Sequence, residues 1–178
     1  MTPHLTIHTA DPSAAEIISH ISITTFTQTF ADTNSKEDMD KYLAEQMNVA
    51  KIQRELEDPY NTFFLAWDGD TLAGFAKVSS AQKPDAPHAD NPLEIERLYV
   101  LKEYQNKKVG AALMNHCLAF AHRGHHTTVW LGVWEHNHKA IAFYTRWGYT
   151  PFGTHIFTLG TDEQTDILMK KQLEINEF

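Results

Sequence analysis

The stretch from Leu93 to Tyr149 constrains the fold more than any other part of the chain. It alternates between the two-residue period of a strand and the three-to-four-residue period of a helix. Leu93–Leu101 places acids and apolar residues in alternation. Gln105-Asn106-Lys107-Lys108-Val109-Gly110 follows and opens an amphipathic helix, along which Val109, Leu113, His116, Cys117 and Phe120 share one face. Thr128–Val133 reads as a second, buried-type strand. Glu135-His136-Asn137 then turns into a helix with Ala140, Ile141, Tyr144 and Trp147 on one side. Two strands, each followed by a helix with one apolar face, require a sheet for those faces to cover.

The flanking segments extend that sheet. Leu5 and Ile7 mark a short strand, and Asp11-Pro12 is a helix start with proline at the first position. Ala15, Ile18, Ile21 and Ile23 carry this helix toward Phe26 and Phe30. Ser35-Lys36-Glu37-Asp38 resembles a capping box with Asp in place of Glu, and Met39, Tyr42, Leu43 and Met47 follow at helical spacing. Asn48 recaps a piece from Val49 to Glu57, which Pro59 ends. Thr62–Trp67 and Thr71–Ser79 form a hairpin around Asp68-Gly69-Asp70. Ala81–Pro92, with three prolines, is a loop. Pro151–Leu159 and Thr165–Leu173 are two further strands joined through Gly160. The reading is one α/β domain spanning 1–178, a mixed sheet with helices on both faces.

Composition removes several classes of function. The 178 residues carry a net charge of −8, and the acids are spread out. Nucleic acid is excluded as a main partner, because phosphate binding needs a basic face. A cationic substrate is compatible, although many soluble proteins are simply acidic. Cys117 is the only cysteine, so no intramolecular disulfide forms, and its mid-helix apolar position marks a core residue. Met1-Thr2-Pro3-His4 shows no targeting signal, and no apolar run approaches the roughly 20 residues that span a bilayer. A cytoplasmic protein, monomer or homodimer, is expected. His122, His125 and His126 lack the further ligands that a metal site needs, so no metal is expected.

Within the central unit each candidate has two readings. The turn from Gln105 to Gly110 presents free N–H groups at a helix N-terminus, which suits a pyrophosphate, and Gly110 allows close approach. It is also what an ordinary strand-to-helix turn with a solvated lysine pair looks like. Asn137 reads as an N-cap or a ligand residue, and Tyr144 as a core aromatic or an acid. Glu94 and Glu96 alternate on one face of their strand, as bases or as salt-bridge partners of Arg97 or Lys77.

Taken together, Leu98-Tyr99-Val100, Gln105 through Gly110, and Asn137-x-x-Ala140-x-x-Phe143-Tyr144-x-x-x-Gly148-Tyr149 resemble the GNAT superfamily of acetyl-CoA-dependent N-acetyltransferases. The resemblance covers residues 93–149 by motif and about 62–170 by element order. The family turn reads Gln/Arg-x-x-Gly-x-Gly/Ala. Here Lys108 stands at the first glycine, and Asn106 where many members have another. The resemblance implies a mostly antiparallel central sheet of about seven strands. It implies that Leu98, Tyr99 and Val100 offer backbone groups to the pantetheine arm, and that the amides of Gln105, Asn106, Lys107, Lys108, Val109 and Gly110 hold the pyrophosphate. Asn137 would bond the pantetheine or its neighbouring helix, and Tyr144 would protonate the leaving thiolate. An amine would attack the thioester directly, in a ternary complex. An alkylamine has a pKa near about 10, so a base or water chain must first deprotonate it, with Glu94 and Glu96 as candidates.

Thr25-Phe26-x-x-Thr29-Phe30, Asn34, Met39, Tyr42-Leu43, Leu93–Arg97, Trp130-Leu131-Gly132-Val133-Trp134-Glu135 and Glu163-Gln164-Thr165-Asp166 are similar to bacterial spermidine/spermine N-acetyltransferases of the PaiA type. That resemblance implies a polyamine acceptor, with Phe26, Phe30, Trp134 and Glu135 beside Glu94 and Glu96 around the cation. Phe26 and Phe30 also read as helix core. Another small amine or a peptide N-terminus remains open as acceptor, as does a sensor that binds acetyl-CoA with little turnover.

Overall fold

A computed structural model describes residues 4–174; Met1, Thr2 and Pro3, part of the segment read for targeting, lie outside them. One sheet of seven strands contains β1 (Leu5–Thr9), β2 (Asn61–Asp68), β3 (Thr71–Ser79), β4 (Pro92–Val100), β5 (Thr128–Trp134), β6 (Thr150–Leu159) and β7 (Asp162–Gln172). Their order is β1-β2-β3-β4-β5-β7-β6, and every neighbouring pair is antiparallel except β4 with β5. The helices are α1 (Ala15–Phe30), α2 (Lys36–Gln46), α3 (Val49–Glu57), α4 (Val109–Arg123) and α5 (His138–Arg146). The expected mixed, mostly antiparallel architecture is the one observed.

Local chemistry explains the helix starts. Asp11 accepts from the Ser13 amide at 2.8 Å, and Pro12 opens a short 3-10 turn that leads into α1. Ser35 Oγ accepts from the Asp38 amide at 3.1 Å, and Asn48 Oδ1 accepts from the Lys51 amide at 2.9 Å. Asp38 does not close the box reciprocally. Its carboxylate accepts from the Ser35 hydroxyl at 2.9 Å rather than from the Ser35 amide, and from the Thr161 amide at 2.9 Å, tying α2 to the β6–β7 turn. Ile23 departs from its expected place and is 37% exposed, because two residues from Ile21 is roughly 200° around a helix.

Strand alternation on β2 shows why both faces carry helices. Phe64 and Ala66 pack with Val109, Leu113 and Cys117 of α4. Phe63 and Leu65 pack with Ile18 and Ile21 of α1 and Ile52 of α3. Cys117 is wholly buried, and burial pushes its thiol up to about 12. A third cluster joins Phe26, Met39, Met47 and Leu159, seating α1 and α2 over the far end of β6.

The β3–β4 ladder depends on one glycine. A Cβ on Gly74 would stand 2.7 Å from the carbonyl oxygen of Tyr99, a backbone atom that cannot swing away. Gly74→Ala is therefore expected to cost about 1–3 kcal/mol, read as a melting-temperature loss of about 2–4 °C per kcal/mol. An unchanged melting temperature would contradict this account of the strand contact.

Candidate active site

The sheet opens at its only parallel seam. β4 and β5 are in register for Pro92↔Thr128, Leu93↔Val129 and Glu94↔Trp130, and then part. Beyond Glu94 the edge of β4 that faces β5 has no strand partner. Its peptide groups are left for an extended ligand, as in strand addition. A cleft of about 920 Å³ fills the gap. The β3 register jumps from Lys77↔Arg97 to Val78↔Ile95, so Glu96 is the extra residue of a bulge. A bulge bends its strand and re-aims the side chains beside it.

Leu98, Tyr99, Val100, Gln105, Asn106, Lys108, Val109, Gly110, Asn137 and Tyr144 all line this cleft. Lys107 does not; its Nζ lies 5.1 Å over the Tyr104 ring. Lys108, directly before α4, has φ of 65°, and Asn106 has 63°. The lysine that replaces a glycine thus occupies a left-handed position, where an L-residue costs roughly 1–2 kcal/mol. Gly110 itself is ordinary helix; a Cβ there would meet the Phe143 ring at 3.7 Å. The conformational freedom expected of Gly110 is demanded at Lys108 instead.

The first helical bond of α4 runs from the Ala112 amide to the Lys108 carbonyl at 3.0 Å. The amides of Val109, Gly110 and Ala111 consequently lack an intrahelical acceptor and, with the helix dipole, favour an anion. Lys139 Nζ donates to Gln105 Oε1 at 2.7 Å and adds positive charge to the same end. Asn137 Oδ1 caps α5 by accepting from the Ala140 amide at 3.2 Å. Tyr144 is buried on α5, with its ring 5.4 Å from Phe143 and 5.9 Å from Tyr149. Burial raises its phenol well above the ordinary value, with Tyr99 and Cys117 adding to the effect, so it keeps its proton at neutral pH.

Glu94 and Glu96 both line the cleft and both are paired. Lys77 Nζ reaches Glu96 at 2.7 Å and Glu55 at 3.3 Å. Arg97 binds Glu55 through two bonds of 2.8 and 3.0 Å. Lys83 contacts Glu94 and lies 3.0 Å from Glu96. Burial works to raise Glu96, but Lys77, Lys83 and Arg97 outweigh it and hold the carboxyl at about 2. For Glu94 burial wins over Lys83, and the carboxyl is raised. Lys83 and Glu55 were not singled out from sequence. Lys83 sits in a proline-rich loop and Glu55 on a helix distant in sequence, so no local pattern marks them.

On the other side of the gap, Phe26, Phe30, Tyr42, Trp134 and Phe157 line the cleft. Phe26 lies 4.5 Å from Phe30 and 4.7 Å from Tyr42, Phe30 is 5.8 Å from Trp134, and Tyr42 is 5.6 Å from Phe157. Glu135 is not brought in: it is exposed, 3.7 Å from His136. Asp166 of β7 is brought in, with Gln164 and Leu168 at the same period of two. That alternation was the available signal for Asp166. Among the described residues no cluster could hold a metal ion, and no helix is long and apolar enough to cross a membrane.

The sequence profile of the Acetyltransferase (GNAT) family matches residues 21–149. An uncharacterised N-acetyltransferase in the pepI 3' region of Lactobacillus delbrueckii subsp. lactis is 38% identical over 97% of this chain and 99% of its own length. The PaiA N-acetyltransferase of Thermoplasma acidophilum, solved in complex with coenzyme A, superposes with a TM-score of 0.79 at 21% identity, covering 95% of this chain and 99% of that one. YncA of Salmonella typhimurium, solved with acetyl-CoA, gives 0.67 at 20% identity, covering 98% and 97%. The chain belongs to the GNAT family of acetyltransferases and is an enzyme of the acyltransferase class.

Proposed function

We propose that the enzyme takes acetyl-CoA as donor and transfers the acetyl group directly to a small amine, of which polyamines are the leading class. The observation that carries this reading is the pairing of two unlike half-sites in one cleft. One half offers the free amides of α4 and the open edge of β4; the other is walled by aromatic rings. The donor set fits the proposed group. Three helix N-terminal amides suit a pyrophosphate, and an unpaired strand edge suits the amides of a pantetheine arm. When bound, acetyl-CoA supplies an activated thioester.

The residues then divide the work. The backbone along Leu98, Tyr99 and Val100 orients the donor arm and can stabilise an oxyanion. Holding both reactants side by side supplies much of the rate. Tyr144, kept protonated by burial, donates to the departing sulfur. Glu94 accepts the proton from the amine: its raised carboxyl is the stronger base, whereas Glu96 is fixed as an anion by its lysines. The aromatic rings receive the acceptor's alkylammonium groups.

The test is to incubate the protein with acetyl-CoA and an amine panel while following free thiol. Turnover is expected with spermidine, spermine or a diamine. Acetyl-CoA binding without turnover of any amine would replace this reading with that of a sensor. Tyr144→Phe is expected to lower kcat by about 10²-fold or more with little change in the acetyl-CoA KM, and full activity would remove the acid role.

Glu94 predicts a pH dependence. Only the ionised carboxylate accepts a proton, so the rate falls as pH drops through its value. Because that value is raised, the acidic limb lies above the ordinary glutamate range. Glu94→Gln should abolish the limb and most of the rate. Glu96→Gln should instead act on stability, since it strips counter-charge from the buried Lys77; removing one buried partner costs about 3–5 kcal/mol.

Lys108→Gly relieves the left-handed strain and should stabilise the free protein by about 1 kcal/mol. If the lysine also pairs with the donor's phosphates, the same variant binds coenzyme A more weakly. Calorimetry on both states separates the two effects.

A further inference from the structure

We infer that Asp166 anchors a second, non-reacting ammonium group of the acceptor, making the enzyme selective for diamines and polyamines over monoamines. This rests on the acetyl transfer to amines proposed above and names the residue that would set its specificity.

The geometry begins with a missing side chain. Gly132 lies on β5 between Trp130 and Trp134, two residues from each, and all three line the cleft. Asp166 is the ladder partner of Trp134, yet its Oδ2 stands 3.4 Å from where a Cβ on Gly132 would be. The carboxyl therefore leans across β5 toward the split with β4, over the one position where no side chain blocks it. Its ladder partner Trp134 lines the same cleft as Phe30, Tyr42 and Phe157. Such rings attract an alkylammonium by their faces but cannot neutralise a carboxylate.

The glutamates of the cleft are already paired with cations. Glu55, Glu94 and Glu96 are each paired with Lys77, Lys83 or Arg97. Among the described residues Asp166 has no cationic partner. Its neighbour across the other ladder, His155, is 2.8 Å from Asp85. The titratable groups near Asp166 are His155 from β6, Tyr42 from α2 and Tyr99 from β4. Burial raises its carboxyl to about 6, and His155 only partly opposes this, as expected for a half-buried acid without a counter-ion. A cation from outside supplies what the fold does not.

Position assigns that cation to the far end of the acceptor. In the order β4-β5-β7, Asp166 sits two strands from β4. That is roughly 10 Å at ordinary strand spacing, the reach of an extended diamine or triamine. The reacting nitrogen then lies toward Glu94 and Tyr144 while the distal ammonium meets Asp166.

The experiment compares kcat/KM for a monoamine and a diamine of equal chain length, with spermidine alongside. The wild type should prefer the diamine. In Asp166→Asn, nearly identical in shape, the diamine-to-monoamine ratio should fall by about tenfold or more through the diamine KM, the loss expected for one charge-assisted hydrogen bond. Asp166→Glu should recover part of the ratio. Glu163→Gln removes an exposed charge from the same strand and should leave the ratio unchanged. A wild type without diamine preference, or an Asp166→Asn variant that keeps the ratio or loses both substrates equally, overturns the anchor. If the wild type acetylates no amine at all, the function proposed above fails instead.

Discussion

The parting of β4 and β5 is the constraint from which the rest of the site follows. β5 is held to β7 along its whole length, from Thr128 to Trp134, and β4 is held to β3 from Glu94 to Val100. The two half-sheets are thus internally continuous, while the seam between them is in register for only three pairs. Sheet twist accumulates across such a seam and drives the free ends apart. The connection over it is the helix α4, which must begin where β4 ends, at the open end of the gap. In parallel β–α–β units ligands bind beyond the carboxyl ends of the strands for this reason. The helix N-terminus, the unpaired strand edge and the cleft are consequences of one topological choice.

An ionic layer lies along the β4 side of the cleft. Lys77 is almost fully buried, and it is tolerated because Glu55 and Glu96 compensate it. The Glu96 bulge adds a residue to β4 there, so that Lys77 opposes Arg97 while Glu96 remains within reach. Burying charges is costly, and such a layer adds little stability compared with an apolar one. Its consequence is electrostatic: three carboxylates are matched by three cations, which leaves Asp166, and Asp85 beside His155, as the acids of the cleft outside this layer.

Much of this was legible in the chain. Period-two and period-3.6 patterns marked the strands and helices, and the capping residues Asp11, Ser35 and Asn48 marked their starts. The turn before α4 was legible as a candidate anion site, because free helix N-terminal amides are a local feature. What escaped was non-local. The ion pair of Glu55 with Arg97 spans 42 residues of sequence and that of Lys83 with Glu94 spans 11, and no periodicity connects the partners. Glu135 looked like Glu94 in composition, but at the strand's end its side chain turns outward to His136. Ile23 looked like its neighbours Ile18 and Ile21, but helical phase puts it outside.

On the reading proposed above, one cleft takes an anionic donor and a cationic acceptor, and its charges are divided along its length. Lys102, Lys108, Lys139 and Arg146 line the cleft, with Lys139 held on Gln105 beside the first turn of α4. In a protein of net charge −8 these cations create a local field that the total charge conceals. Asp166 and the aromatic rings lie on the β5–β7 side. Exposed charges are screened over roughly 8–10 Å at physiological salt, so each end attracts its own ligand largely independently. Between them Tyr144 is uncharged and buried, and Glu94 is shielded by Lys83. On the reading proposed above the two reactants meet there, over an ionic layer whose charges balance, so that neither an anionic donor nor a cationic acceptor is repelled.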